Sequence, residues 1–312
     1  MPRLCSTLPA VLFAVSTFTT VQAQTATISI PVWIETNNSA PAPKFEATVN
    51  GKPVPVTAQL GPTSDQVILA VFDLTDDLSL IEVAKQAVTA EISKLPPTAW
   101  VGLLRAQDGL HVLADPSPDR QPLIDAIHSL SNSGKPGLLE TVQPALSLAD
   151  ALIRKSPVRV SVLYITDGSI YSYREDYTNP VINSSDPHDL SRRFPEALIK
   201  EKISKLAENL GSLQAPLFVV HINYRRDRVN EAYQNGLKTL ASTTGGKSEI
   251  CRSIAGTSEA ISAMFARISS AWRLTLALPP RTNHDTQIQL SAPSPQGDLR
   301  LSWRTRFHLK GG

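Results

Sequence analysis

Asp73 closes an unbroken apolar run, Val67-Ile-Leu-Ala-Val-Phe. A carboxylate at the end of a buried strand is costly unless it is paired or ligated. Thr75 and Asp77 follow at alternate positions, so an acidic, hydroxyl-bearing turn leaves that strand. Asp167 closes a second apolar run, Val158 to Thr166, and reads either as the holder of a turn with Gly168 or as a second functional carboxylate facing Asp73. Asp76 and Asp77 also have a structural reading. Ser79-Leu-Ile-Glu82 is a capping box, and acids just ahead of it favour the helix N-terminus by about 0.3–1 kcal/mol each. The histidines are scattered without H-E-x-x-H spacing, which argues against metalloprotease chemistry, and His221 reads as a satisfied core histidine. Neither a glycine-rich phosphate loop nor a G-x-S-x-G elbow occurs.

These carboxylates need a frame that brings strand ends together. Val67–Asp73, Val158–Thr166 and Leu217–Ile222 are apolar enough to be buried on both faces, as in a parallel sheet. Helical spacing predicts helices over 79–95, 119–130, the stretch bearing Val142 to Ile153, 195–210, a short one ending near Ala241, and one whose stripe runs Ile261, Met264, Phe265, Ile268, Trp272. Pro144 is expected in the first turn of its helix. Asp108-Gly109 predicts a hairpin between Trp100–Arg105 and Leu110–Ala114. The fold class is therefore α/β, a doubly wound, mostly parallel sheet, which binds ligands at the carboxyl ends of its strands.

The two ends of the chain read differently. Ile28 to Ile34 alternates as a strand, and Lys44–Leu60 folds at Asn50-Gly51. Near the other end lie a short strand at Gln287–Leu290 and a long one in which Leu299, Leu301, Trp303, Thr305, Phe307 and Leu309 share one face. We expect the two ends to associate in one β-rich unit. The boundaries read as a signal at 1–23, a β segment at 24–64, the α/β domain at 65–272 and a second β segment at 273–312.

Within Met1–Ala23, Arg3, the apolar run Leu8–Thr20 and Val21-Gln22-Ala23 have the order of a secretory signal, with cleavage after Ala23. Removing it leaves Cys251 as the only cysteine, hence no internal disulfide. An export signal without disulfides suits a periplasmic or secreted protein. A formal charge of +2 gives no reason to expect nucleic acid or an anionic membrane as the main partner.

Val-Phe-Asp73-x-Thr75-x-Asp77, with Tyr164-Ile-Thr-Asp167-Gly168 at a later strand end, resembles the von Willebrand factor A-type domain. Leu237-Lys-Thr-Leu-Ala241-x-x-Thr-Gly245-Gly246, the helix ending Ser270-Ala-Trp272, and the Lys44–Val56 segment resemble more narrowly the VWFA-related proteins first catalogued in acidobacteria. The resemblance implies a metal-ion-dependent adhesion site on Asp73, Thr75 and Asp167, with Asp77 in place of the motif's second hydroxyl. It also aligns Pro136 with a loop threonine that completes the metal's shell. Proline has no side-chain oxygen, and only Thr141 or Ser133 remains as a substitute. The implied cofactor is thus none, or weakly bound Mg²⁺, which wants near-octahedral oxygen ligands. Three carboxylates also leave the site negative, with less reason to recruit another from a partner.

The reading that follows is an exported protein-binding module with a degenerate adhesion site, not an enzyme, whose partner is another protein. The expected contact residues are Tyr171, Tyr173, Arg174 and Tyr177, on the long loop after Asp167. Two alternatives stand beside it. One is a structural subunit of an envelope assembly. The other is a phosphohydrolase using Asp73 in a D-x-D arrangement like that of haloacid dehalogenase-type phosphatases, against which Thr75 stands, since it cannot serve as the second carboxylic acid.

Overall fold

The computed structural model describes residues 26–35, 43–75, 78–173, 195–279, 285–294 and 299–308. The amino-terminal segment forms β1 (Thr27–Ile34), β2 (Glu46–Val49), β3 (Lys52–Val54) and β4 (Val56–Leu60). The alternating middle begins with β5 (Gln66–Asp73), α1 (Leu78–Lys94), β6 (Ala99–Arg105), β7 (His111–Ser117), α2 (Gln121–His128) and α3 (Leu138–Lys155). It continues with β8 (Arg159–Thr166), α4 (Pro195–Leu210), β9 (Leu217–His221), α5 (Arg228–Thr243), β10 (Ser248–Ile250) and α6 (Ala255–Ser269). The chain then returns to β structure in β11 (Trp272–Ala277), β12 (Asp285–Ser291), β13 (Leu301–Trp303) and β14 (Arg306–His308).

The central sheet has the order β10-β9-β8-β5-β6-β7. Its pairings are parallel except that between β6 and β7. Counted from β5, this is the doubly wound order whose direction reverses between β5 and β8. All eight residues of β5 and of β8 are buried, as their largely apolar sequences require, with Arg159 and Ser161 the polar residues inside or at the start of β8. Leu146 of α3, Ile199 of α4 and Leu237 of α5 cover one face, and Ile81 of α1, Leu123 of α2 and Phe265 of α6 the other. Both hairpins turn where the backbone enters the left-handed region, at Asn50 (φ 50°) and Gly51 (φ 74°), and at Asp108 (φ 54°) and Gly109 (φ 120°).

The chain ends associate through hydrogen-bonded strands. β1 pairs with β11 and β13, giving a sheet ordered β13-β1-β11-β4, while β14-β12-β2-β3 forms a second. Ile28, Ile30, Val49, Leu276, Ile288 and Phe307 fill the space between them.

Three expectations change and one strand is new. Pro144 lies inside α3 rather than in its first turn, because the helix already starts at Leu138. Trp272 is not on the α6 stripe; the helix stops at Ser269 and Trp272 pairs with Val32 as a strand residue. The long final strand is two short ones in different sheets. They break at Arg304, which is buried and turns its guanidinium onto the carbonyls of Gly211 and Leu213. Finally, β10 adds a three-residue parallel edge strand that its short polar sequence did not announce.

Candidate functional site at the carboxyl ends of the central strands

Asp73 is the last residue of β5 and stands opposite Thr166 of β8, so the turn of winding direction places Asp73 and Asp167 side by side. Both are fully buried. The Asp73 carboxyl is enclosed by the chain's own donors. Gly137 N–H donates to Oδ1 at 2.8 Å and the Thr166 hydroxyl donates to Oδ2 at 3.0 Å. Thr166 Oγ1 in turn accepts from Gly168 N–H at 3.1 Å. Asp167 Oδ1 accepts from Thr75 N–H at 2.7 Å, with the Thr75 hydroxyl at 3.5 Å. Burial pushes the Asp73 carboxyl up to about 7; the neighbouring Asp167 charge adds to the rise, and the donors from Gly137 and Thr166 oppose it.

The loop before α3 is fitted closely to this pair. A Cβ on Gly137 would lie 2.0 Å from the Ala106 carbonyl oxygen, so only glycine brings that N–H to Asp73. Pro136 is buried beside Gly168, where an added Cβ would come within 2.9 Å of the proline ring. Both substitute oxygens are already hydrogen-bonded within the chain. Thr141 donates to Gly137 O at 2.6 Å and meets Tyr164 Oη at 3.0 Å, while Ser133 is exposed and bonded to Ser131. Among the described residues, no three His, Cys, Asp or Glu side chains are grouped so as to hold a metal ion. Pro136 thus offers no side-chain oxygen at the loop position, and each Asp73 oxygen accepts a hydrogen bond from the chain itself. Asp77 lies outside the described residues.

His221, at the end of β9, is the satisfied core histidine expected. Its Nε2–H donates to Gly168 O at 3.0 Å, and Nδ1 accepts from Asn223 N–H at 3.3 Å. Burial holds the ring neutral, with its pKa down to about 4. Cys251 is buried and free of any disulfide.

The tyrosines after Asp167 divide. Tyr171 is 58 % exposed, with its hydroxyl on Asp227 Oδ1 at 3.0 Å. Tyr173 does not belong to the surface. It is 6 % exposed, stacks edge-on against Tyr233 and shares a 2.9 Å hydrogen bond with the Tyr233 hydroxyl. Its expected contact role is therefore corrected to a core role, because α5 offers the phenol a buried polar partner. Arg174 and Tyr177 lie outside the described residues. Sequence reasoning had no role for Gly137 or Gln107. Gln107 is buried and holds the turn after β5 through Leu74 O at 2.8 Å, a contact across strands that no local pattern announces.

No family model matches the chain, and no curated protein matches it. Solved structures do. A von Willebrand factor type A protein from Catenulispora acidiphila is 13% identical over 86% of this chain and 74% of its own, with a TM-score of 0.46. The von Willebrand factor domain of the type V pili tip protein Mfa5 from Porphyromonas gingivalis is 14% identical over 66% of this chain and 95% of its own, at 0.43. An aerotolerance-related membrane protein from Bacteroides fragilis is 14% identical over 65% of this chain and 100% of its own, at 0.41. These superpositions are loose, and what the molecule itself shows is the fold: an α/β doubly wound sheet whose Asp73-x-Thr75 and Thr166-Asp167-Gly168 ends, the residues that carry the sequence resemblance to von Willebrand factor A-type domains, lie side by side at its switch point.

Proposed function

We propose that this chain is an exported A-type module that binds another protein through the carboxyl-end face of its central sheet, without metal. One contrast on that face supports the reading. The Asp73 oxygens and Asp167 Oδ1 accept hydrogen bonds from the chain itself, whereas Tyr171 stands in solvent on the same face. Such a face offers contact area and not an open coordination shell. The burial of Asp73 also speaks against a nucleophile, which must reach its substrate. Export rests on the Met1–Ala23 pattern, and among the described residues no helix is long and apolar enough to cross a membrane.

The test is recovery of envelope proteins on the mature chain, expected to start at Gln24 by mass spectrometry. Recovery should be the same in 10 mM Mg²⁺ and in EDTA, and should fall about tenfold for Tyr171→Ala. Micromolar Mg²⁺ affinity by calorimetry, abolished in Asp73→Ala, would overturn the metal-free reading. Recovery indifferent to Tyr171→Ala would remove this face from it.

A further inference from the structure

The carboxyl-end face is not uniform in charge. After β9 the chain reads Tyr224-Arg225-Arg226-Asp227-Arg228, and after β10 it reads Arg252-Ser253-Ile254. These two turns are joined, since Tyr224 N–H donates to Cys251 O at 3.1 Å and the Arg252 guanidinium lies 4.9 Å from the centre of the Tyr224 ring. Buried Gln234 holds the first turn from beneath. Its Oε1 accepts from Arg225 N–H at 3.1 Å and its Nε2 donates to Arg225 O at 2.7 Å. The crest is thus fixed in place before any partner arrives.

Its acids are already used. Asp227 caps α5 through Asn230 N–H and receives the Tyr171 hydroxyl. Glu231 receives the Tyr224 hydroxyl at 3.2 Å, and Glu249 is paired with Lys247 at 2.8 Å. Arg228 is paired with Glu196 at 2.6 Å. Arg226 and Arg252 are exposed and have no acidic partner among the described residues. Lys238 stands nearby, on a polar groove of about 340 Å³ that Tyr224, Gln234 and Arg252 also line. Exposed apolar groups flank the crest, Tyr171 at 58 % and Ile254 at 49 %.

We infer that this crest receives an acidic segment of a partner protein, with Arg226 and Arg252 taking carboxylates and Tyr171 and Ile254 taking an adjoining apolar side chain. The inference rests on the proposed use of this face and names its partner's chemistry. Guanidinium forks suit carboxylates in paired hydrogen bonds. Two arginines spaced by capped acids fit a short peptide better than the continuous phosphate run of a nucleic acid, which needs a broader basic stripe.

The probe is a fluorescein-labelled twelve-residue peptide of glutamates around a central Leu-Trp, read by anisotropy, beside the same peptide with lysines for glutamates. The acidic peptide should bind, at least tenfold more weakly in 300 mM than in 50 mM NaCl. Its affinity should fall at least tenfold in Arg226→Glu/Arg252→Glu, whose melting temperature should stay within about 4 °C of wild type, since both side chains are exposed and only the stacking of Arg252 on Tyr224 is given up. Binding of the lysine peptide, binding untouched by the reversal, or no binding at millimolar peptide would each overturn the proposal. So would tighter binding of a single-stranded oligonucleotide or of vesicles of phosphatidylglycerol that the reversal abolishes. Partner recovery separates this inference from the reading beneath it. Loss with Tyr171→Ala but not with the arginine reversal sinks only the acidic partner. Recovery unchanged by both variants sinks the use of the face.

Discussion

The two ends of the central sheet bury opposite charges and treat them differently. At the amino end, Arg159 donates to the carbonyls of Pro62, Ser64, Ser269 and Ala271 and to Gln66 Oε1, at 2.6 to 3.1 Å. Arg273 and Arg304 spend their guanidiniums likewise, on Ile153 and Val158 and on Gly211 and Leu213. These arginines tie the α/β unit to the β sheets made from the chain ends. At the carboxyl end the buried groups are carboxyls with fewer donors, and Asp73 is pushed up to about 7. A guanidinium cannot shed its charge at ordinary pH, so the fold must solvate it with oxygen. A carboxyl can take up a proton, so the fold can leave it partly unsatisfied. The first solution gives a joint, and the second a site whose charge depends on its surroundings.

The largest effect should come from breaking the joint. Arg159→Ala leaves at least four carbonyls short of a donor in a buried seam and should cost about 3–5 kcal/mol in urea unfolding. Arg159→Lys should restore less than half of that, because one ammonium cannot serve five separated acceptors. The loss should be the same at pH 5 and pH 8, since burial lowers the Arg159 pKa only to about 10. A loss under about 1 kcal/mol would mean that Arg159 adds little to what Arg273, Arg304 and apolar packing already hold.

The carboxyl end should show the pH dependence that the amino end lacks. Asp73 moves from an ordinary value of 3.8 to about 7 on folding, so between those values the native state holds more protons than the unfolded chain. Its contribution is complete below about pH 4 and is lost as pH rises through 7, an effect of about 2–4 kcal/mol. His221 acts in the reverse sense. Its value falls from 6.5 to about 4, so its contribution is complete above 6.5 and is lost as pH falls through 4. The two partly cancel in the whole protein. The quantity to measure is therefore the stability of Asp73→Asn minus that of wild type, which should rise from about pH 4 to about pH 7 and level off above it. A difference independent of pH would show that Asp73 stays ionised inside the fold.

The same contrast explains what could be read from the chain. Val67–Asp73 and Val158–Thr166 were legible because strands buried on both faces are largely apolar, Arg159 and Ser161 notwithstanding. The hairpins were legible because Asn-Gly and Asp-Gly supply left-handed backbone cheaply. Asp73 and Asp167 were legible as strand ends, and their pairing followed from the winding order. The arginine joint was not. Arg159 and Arg304 find their acceptors on segments remote in sequence, and an arginine among strand residues ordinarily reads as the wet face. The enclosure of Asp73 by Gly137 was hidden for the same reason, since a glycine before a helix usually signals only a turn.

The smallest effects separate two tyrosines of one short segment. Tyr171 and Tyr173 share a residue type, and sequence reasoning gave them one role, yet the first is exposed and the second packs under α5. Removing only the hydroxyl tests this without disturbing the ring. Tyr173→Phe takes away one partner of the buried Tyr233 hydroxyl and should cost about 1 kcal/mol, the usual scale of a buried neutral hydrogen bond. Tyr171→Phe removes a contact to Asp227 at the surface, where water replaces it, and should change stability by less than about 0.5 kcal/mol. Partner recovery should run the other way, falling with Tyr171→Ala and not with Tyr173→Phe, because only the exposed ring can reach another molecule. Equal stability costs would mean that the Asp227 contact is structural, and the partner surface would then have to lie on the arginine crest alone.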